Sequence, residues 1–315
     1  DFAAHFPSVV REAESETLLF ILVQLGLGSE QESRTARAVS ERIADEVAPL
    51  RGDASPPARE DRRLRIGYLS PDFRRHAVMS LARQVFAGHD REGFEVYCYS
   101  IHSEHDELTR EVAAGCDHFV DLTGMADAEA AGCIARDGID ILIDLAGYTK
   151  HAHPAIPAAR PAPVQVSYLG YPATTGAPWM DYILADAILI PETDAAHYSE
   201  QVAWLEPTPV PVPGFPEGAE TVRSDWGLPE DAVVYGSFHA GYKIEPGIFG
   251  RWMDILRGVP GAVLWLVQES DTMRRRLRRS AEAHGIDPQR LIFSPKVSLE
   301  EHMARQRLAD VFLDT

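Results

Sequence analysis

Cysteine is scarce: Cys98, Cys116 and Cys133 are the only three among 315 residues, and no two stand in a CxxC spacing. An odd, scattered set argues against a disulfide framework or a zinc ribbon and suits a reducing cytoplasm. No apolar run approaches the ~18 residues of a membrane span, and DFAAHFPSVVREAESETLLF lacks the basic stretch that opens a secretion signal. Positive charge is short as well: 30 Lys and Arg stand against 48 Asp and Glu, a net −18 that repels nucleic-acid backbones while leaving room for a local basic pocket. Neither GxxxxGK[ST] nor GxGxxG occurs, which removes the P-loop and the simple NAD-dehydrogenase readings.

What is present is an ordinary folded composition, 45% apolar and 25% charged, with mean hydropathy −0.18. At ~150 residues per domain, the length predicts about two domains. Residues 1–60 read as a helical segment and linker: Ala38, Ile43 and Val47 recur at helical spacing, and RGDASPPAREDRR breaks the pattern. From Leu64 short β-rich runs (LRIGYLS, FEVYCYS, HFVDL, ILIDL, VQVSYL, DYILAD, QVAWL) alternate with helical stretches, the signature of βαβ units on a parallel sheet. This predicts a first Rossmann-like domain over 61–205. WLEPTPVPVPGFPEG, with five prolines, opens a stiff connector over 206–232. The alternation then restarts over 233–315 with VVYGSF, AVLWLV, LIFSP and VFLD. The chain ends directly after that last strand, so the second α/β region is expected to be incomplete.

Ligands of such sheets sit beyond the carboxyl ends of the strands. There LRIGYLSPDFRRHAVMS offers Asp72 and His76, and an imidazole takes up a proton near neutral pH. Each has a plainer reading, as a turn or a helix cap. Asp144 ends the apolar strand ILIDL ahead of Gly147, Tyr148, Thr149 and Lys150, where a carboxylate must be either paired or used. His151 and His153, and likewise His102 and His105, lack the companions that would complete a metal set, and no metal is expected at either pair. Gly170 and Gly176 in YLGYPATTGAPWMDY permit close backbone approach to a ligand. Lys243 precedes a helix expected to start near Pro246, a good position for neutralising a phosphate. The basic helix MRRRLRRSAEAHG spreads its arginines around the axis as a solvated face. No D-x-D occurs, so a diphosphate would be met by lysine and helix dipoles.

The segments LRIGYLSPDFRRHAVMSL, DGIDILIDLAGYTKHAHPAIPAARPAPVQVSYLGYPATTGAPWMDYILAD, YSEQVAWL, GLPEDAVVYGSF, YKIEP, VPGAVLWLV and RLIFSPKVSLEEHMARQRLADVFLDT, in this order, resemble the catalytic region of protein O-GlcNAc transferases, including bacterial and plant SPINDLY-type relatives. The likeness spans roughly Leu64 to Thr315, and RPAPVQ…LGYP…GAPWMDY is its most specific part. The resemblance implies a GT-B fold, two Rossmann-like domains with a nucleotide sugar in the cleft, preceded by tetratricopeptide helices of which residues 1–50 would be the last. It implies His76 as the base for a Ser/Thr hydroxyl, and Tyr242 and Lys243 as the pair whose lysine meets the UDP diphosphate. Leu169, Gly170 and Pro172 correspond to the LGYP loop beside the sugar, and Asp144 and Tyr148 to a cleft-lining strand end. The implied reaction is an inverting, metal-independent transfer, GlcNAc from UDP-GlcNAc to protein, with no cofactor beyond the donor. The implied partners are a nucleotide sugar and a Ser/Thr-bearing protein, with tetratricopeptide contacts to partners, in the cytoplasm and with no nucleic acid or membrane. GDP-fucose as donor, another acceptor, or a non-catalytic peptide-binding module are the alternatives. The chain departs from the family pattern at Ala240, where animal enzymes carry a glutamine, and in EPTPVPVPGFPEG after Trp204. The family's further histidine, threonine and aspartate nucleotide contacts are expected beyond Thr315.

Overall fold

Apolar strands that alternate with helices must be buried on both faces, and the chain meets that demand with two parallel sheets. In the computed structural model the described residues are 28–47, 62–211, 214, 218–268 and 270–315, with Leu19, Phe20 and Val23. The expected linker after Val47, most of the first helical stretch and part of the proline-rich connector lie outside the described residues. The chain divides into two units, Asp1–Pro213 and Gly214–Thr315.

The first unit carries β1 (Leu64–Ser70), β2 (Phe94–Ser100), β3 (His118–Asp121), β4 (Ile141–Asp144), β5 (Val164–Ser167), β6 (Tyr182–Ala185) and β7 (Gln201–Trp204). They form one parallel sheet in the order β3-β2-β1-β4-β5-β6-β7. The direction of winding reverses between β1 and β4, and this opens a crevice at their carboxyl ends. Leu69 and Asp144 are register partners there, as are Asp144 and Ser167. Helices α1 (Ser29–Val47), α2 (Ala77–Ala82), α3 (Glu107–Gly115), α4 (Asp127–Arg136) and α5 (Ala155–Ala158) belong to the same unit. The apolar stripe of α1, Val39, Ile43 and Val47, packs in one cluster with Leu69, Tyr99 and Leu142 of the sheet. α2 is shorter than the pattern AVMSLARQVFAG suggests, because turns replace the helix after Ala82.

The motif RPAPVQ and the downstream WMD form a brace. Arg160, at φ 57, donates to the Trp179 carbonyl (2.8 Å) and pairs with Asp181 (3.0 Å). The fully buried Gln165 side chain donates to the Pro157 and Trp179 carbonyls (2.9 and 2.8 Å). A second brace holds the TTGA loop. The buried Glu200 carboxylate accepts from the Thr174 hydroxyl (2.6 Å) and the Thr175 N–H (2.7 Å), and also from the Thr175 and Ser199 hydroxyls. The buried Ser40 hydroxyl lies 2.8 Å from both the Thr175 carbonyl and the Tyr148 hydroxyl, which ties α1 to the same loop. Gly176 turns at φ 65, and a Cβ there would sit 2.3 Å from the Arg37 amide nitrogen.

The second unit repeats the pattern with β8 (Val234–Ser237), β9 (Val263–Val267), β10 (Leu291–Ser294) and β11 (Val311–Phe312), parallel in the order β10-β9-β8-β11. Its helices are α6 (Pro246–Gly258), α7 (Asp271–Ala283) and α8 (Leu299–Gln306), and its core gathers Phe249, Trp252, Leu256, Leu264 and Leu266. Residues from Thr221 to Trp226, inside the expected connector, are built into this unit. Arg223 pairs with Asp310 (2.8 Å), and Trp226 lies against Trp265. The arginines of α7 are at least partly exposed, as a solvated face requires. No described helix is long and apolar enough to cross a membrane.

Removing the acceptor of the TTGA loop strands several buried donors. Glu200→Ala is expected to lower the unfolding free energy of the first unit by about 2–4 kcal/mol. Urea denaturation followed by tryptophan fluorescence checks this; an unchanged midpoint would show that the loop is held by other means.

Candidate functional site

At the crevice of the first sheet, β1 ends in Ser70, whose hydroxyl accepts the Asp72 N–H (3.0 Å). Asp72 is almost wholly buried. Burial pushes its carboxyl above the usual range, and the surrounding His76, Arg74, His102 and His151 work against that shift. His76 caps α2: its Nδ1 is 3.3 Å from the Val78 N–H and 3.3 Å from Asp72 Oδ2. The ring stays 39% exposed. Arg74 bridges Asp72 (3.6 Å) and Glu104 (2.7 Å).

Beside it, β4 ends in Asp144. One of its oxygens accepts the Ala146 N–H (2.9 Å) and the other the Gly147 N–H (3.1 Å), which shapes the turn into Tyr148 and Thr149. Burial outweighs these two bonds and raises the carboxyl to about 6. Tyr148 is buried, its ring edge-on to Tyr171 and its hydroxyl beside Ser40, so both residues of this strand end face interior partners. The Thr149 hydroxyl is buried with no hydrogen-bond partner among the described residues.

The loop after β5 crosses this turn. Gly170 passes so close that a Cβ would lie 1.9 Å from the Leu145 carbonyl oxygen. Leu169 takes φ 63, a left-handed conformation that costs a branched side chain about 1–3 kcal/mol. Leu169 and Pro172 border a cavity of about 270 Å³ with Tyr168, Leu184, Tyr198 and Val210. Thus His76, Leu169, Gly170 and Pro172, on loops, and Asp144, the last residue of β4, stand at the carboxyl ends of three adjacent strands.

The second unit has its own strand-end site. After β8 the chain runs through Phe238, His239 and Ala240 into a 3-10 turn, Gly241–Lys243, and α6 begins at Pro246. Tyr242 and Lys243 are exposed. His239 lies between the Ser237 hydroxyl (3.0 Å from Nδ1) and Asp314 just past β11 (3.1 Å from Nε2). Arg305 of α8 is buried, lies over the rings of Phe238 (4.4 Å) and Trp226 (5.4 Å) and donates to the Pro295 carbonyl (2.9 Å).

Several of these roles escape a reading of the sequence. Arg305 shows no signal beyond its place on a capped helix, because its aromatic partners are distant in the chain. His102 and His151, each set aside as half of an incomplete histidine pair, meet edge to face at 4.8 Å beside Asp72, whereas His153 turns away to Asp127 (2.7 Å). The HxH spacing therefore splits between two partners.

With this geometry in hand, the comparisons are specific. The profile of glycosyl transferase family 41 matches residues 50–210 and 217–315. The chain is 38% identical over 281 residues, 85% of its length, to the Arabidopsis thaliana protein named Probable UDP-N-acetylglucosamine–peptide N-acetylglucosaminyltransferase SEC. It is 30% identical over 80% of its length to the Caenorhabditis elegans UDP-N-acetylglucosamine–peptide N-acetylglucosaminyltransferase. A solved mutant of Thermobaculum terrenum O-GlcNAc transferase superposes on 95% of the chain with a TM-score of 0.85 and 32% identity, which bears out the GT-B-like α/β class. The chain spans 29% and 32% of the two curated relatives and 57% of the solved chain.

The raised Asp144 carboxyl has a testable consequence. Its native form keeps a proton up to about pH 6, while an unfolded aspartate releases it near 3.8. This group therefore stabilises the fold below the unfolded value, and the contribution is lost as pH rises through 6. The amount is on the order of 3 kcal/mol between pH 4 and 7. Asp144→Asn should flatten that part of the pH–stability curve relative to the parent; parallel curves would contradict the assignment.

Proposed function

Because this chain belongs to glycosyl transferase family 41, we propose that it forms catalytic machinery which transfers a sugar from a nucleotide donor to protein hydroxyls, specifically GlcNAc from UDP-GlcNAc to Ser or Thr. The names of the relatives support both donor and acceptor class. The observation that carries the reading is His76 at the sheet crevice, with one ring nitrogen held by neighbours and the ring still open to solvent.

His76 takes the proton of the acceptor hydroxyl. The freed oxygen attacks the anomeric carbon on the face opposite the diphosphate. The new carbon–oxygen bond forms as the bond to the β-phosphate oxygen breaks, that bond's electron pair leaves with UDP, and the anomeric centre inverts. Lys243, in the turn before α6, compensates the charge gathering on the diphosphate together with the helix N-terminus. No metal has a part in this scheme. The strained Leu169 and the close-packed Gly170 shape the loop beside the sugar. The orphaned Thr149 hydroxyl offers a hydrogen bond on the same edge. The enzyme works in the cytoplasm, where Cys98, Cys116 and Cys133 remain thiols.

The test uses radiolabelled UDP-GlcNAc and GDP-fucose with the native protein and a cell lysate. Label should enter protein from UDP-GlcNAc, falling about 10²–10⁴-fold with His76→Ala and about 10²–10³-fold with Lys243→Ala. Equal labelling by His76→Ala and the parent removes His76 from the mechanism; labelling from GDP-fucose alone reassigns the donor; none from either leaves a binding module.

A further inference from the structure

A carboxylate removed from water at the edge of an otherwise open crevice needs a reason. Asp72 is 3% exposed, two residues past the end of β1. Its own N–H is occupied by Ser70, and it does not cap α2; His76 does. The His76 Nδ1 (3.3 Å) and the Arg74 guanidinium (3.6 Å) come within 4 Å of the Asp72 carboxylate.

His76 Nδ1 receives two incompatible offers at the same distance. If Nδ1 is bare, it accepts the Val78 N–H; if it carries the proton, it donates to Asp72. A bare Nδ1 would set a lone pair 3.3 Å from a carboxylate oxygen in a buried environment, which is repulsive where charge is poorly screened. A proton between them turns the same approach into a charge-assisted hydrogen bond, and Arg74 on the other oxygen favours the ionised carboxylate. The Val78 amide, in the first turn of α2 where no intrahelical acceptor exists, then gives up its contact with the ring.

We infer that Asp72 is a positioning residue: it accepts a hydrogen bond from His76 Nδ1–H, so that Nε2 alone bears the lone pair and faces the acceptor hydroxyl. This rests on the reading of His76 as the base. When Nε2 takes the hydroxyl proton, the ring holds a proton on each nitrogen, and the buried carboxylate counters the new positive charge without moving. Asp72 touches neither substrate; it sets which nitrogen reacts and holds the ring plane.

Long-range proton–nitrogen correlation of the ¹⁵N-histidine-labelled protein at pH 8 reports the tautomer directly, with no variant and no turnover. The expected His76 pattern is a protonated Nδ1 and a bare Nε2. A bare Nδ1 with a protonated Nε2 overturns the inference, and it does so whether or not His76→Ala abolishes transfer, so the two readings fail separately. Asp72→Asn, whose amide can donate to Nδ1 and reverse the tautomer, should keep the parent's melting curve and KM. Its kcat should drop by at least about 100-fold, as the loss of an orienting carboxylate does elsewhere. An unchanged kcat with the tautomer intact would also overturn it.

Discussion

The first unit's site depends on one close crossing of backbone. The loop after β5 lies over the turn after β4 at a separation that no side chain tolerates, with a Gly170 Cβ placed 1.9 Å from the Leu145 oxygen. From that contact the neighbouring geometry follows. Leu169 is forced to φ 63, Tyr171 packs edge-on to Tyr148, and the Asp144 carboxylate gathers the amides of the underlying turn. Strain is stored in this loop, and two braces, Arg160–Asp181 with Gln165 and Glu200 with the TTGA hydroxyls, hold the chain on either side of it.

What could be read in the sequence is what is local. Hydrophobic runs of strand length marked all of β1 through β11, and a histidine or aspartate a few residues past a strand pointed to the crevice through topology alone. What could not be read depends on partners far apart in the chain. Glu200 answers threonines 25 and 26 residues away, and Ser40 meets Tyr148 across 108. The motif RPAPVQ, which opens the most specific stretch of the resemblance, braces the fold through Arg160 and Gln165. Tyr148 and Asp144, expected at a cleft-lining strand end, set their polar groups against Ser40 and against the Ala146 and Gly147 amides, partners that the sequence did not announce.

A net charge of −18 still leaves cations at particular places. The loops at the carboxyl ends of the first sheet bring Arg74, Lys150 and the imidazoles of His76, His102 and His151 around Asp72, with Glu104 as a second acidic partner of Arg74. Burial and the neighbouring cations hold His151 below the usual imidazole range, so Arg74 and Lys150 are answered there by Asp72 and Glu104. In the second unit Lys243 is exposed after β8 and Arg305 is buried against aromatic faces.

The backbone crossing is the claim most open to a direct test. Hydrogen exchange of the Ala146 and Gly147 amides in Gly170→Ala, read beside the parent, reports on it at the atoms concerned. The crossing predicts that one methyl group lifts the loop from the turn, costs about 2–4 kcal/mol and leaves both amides exchanging far faster. Unchanged protection of those two amides, with an unchanged melting temperature, would contradict it.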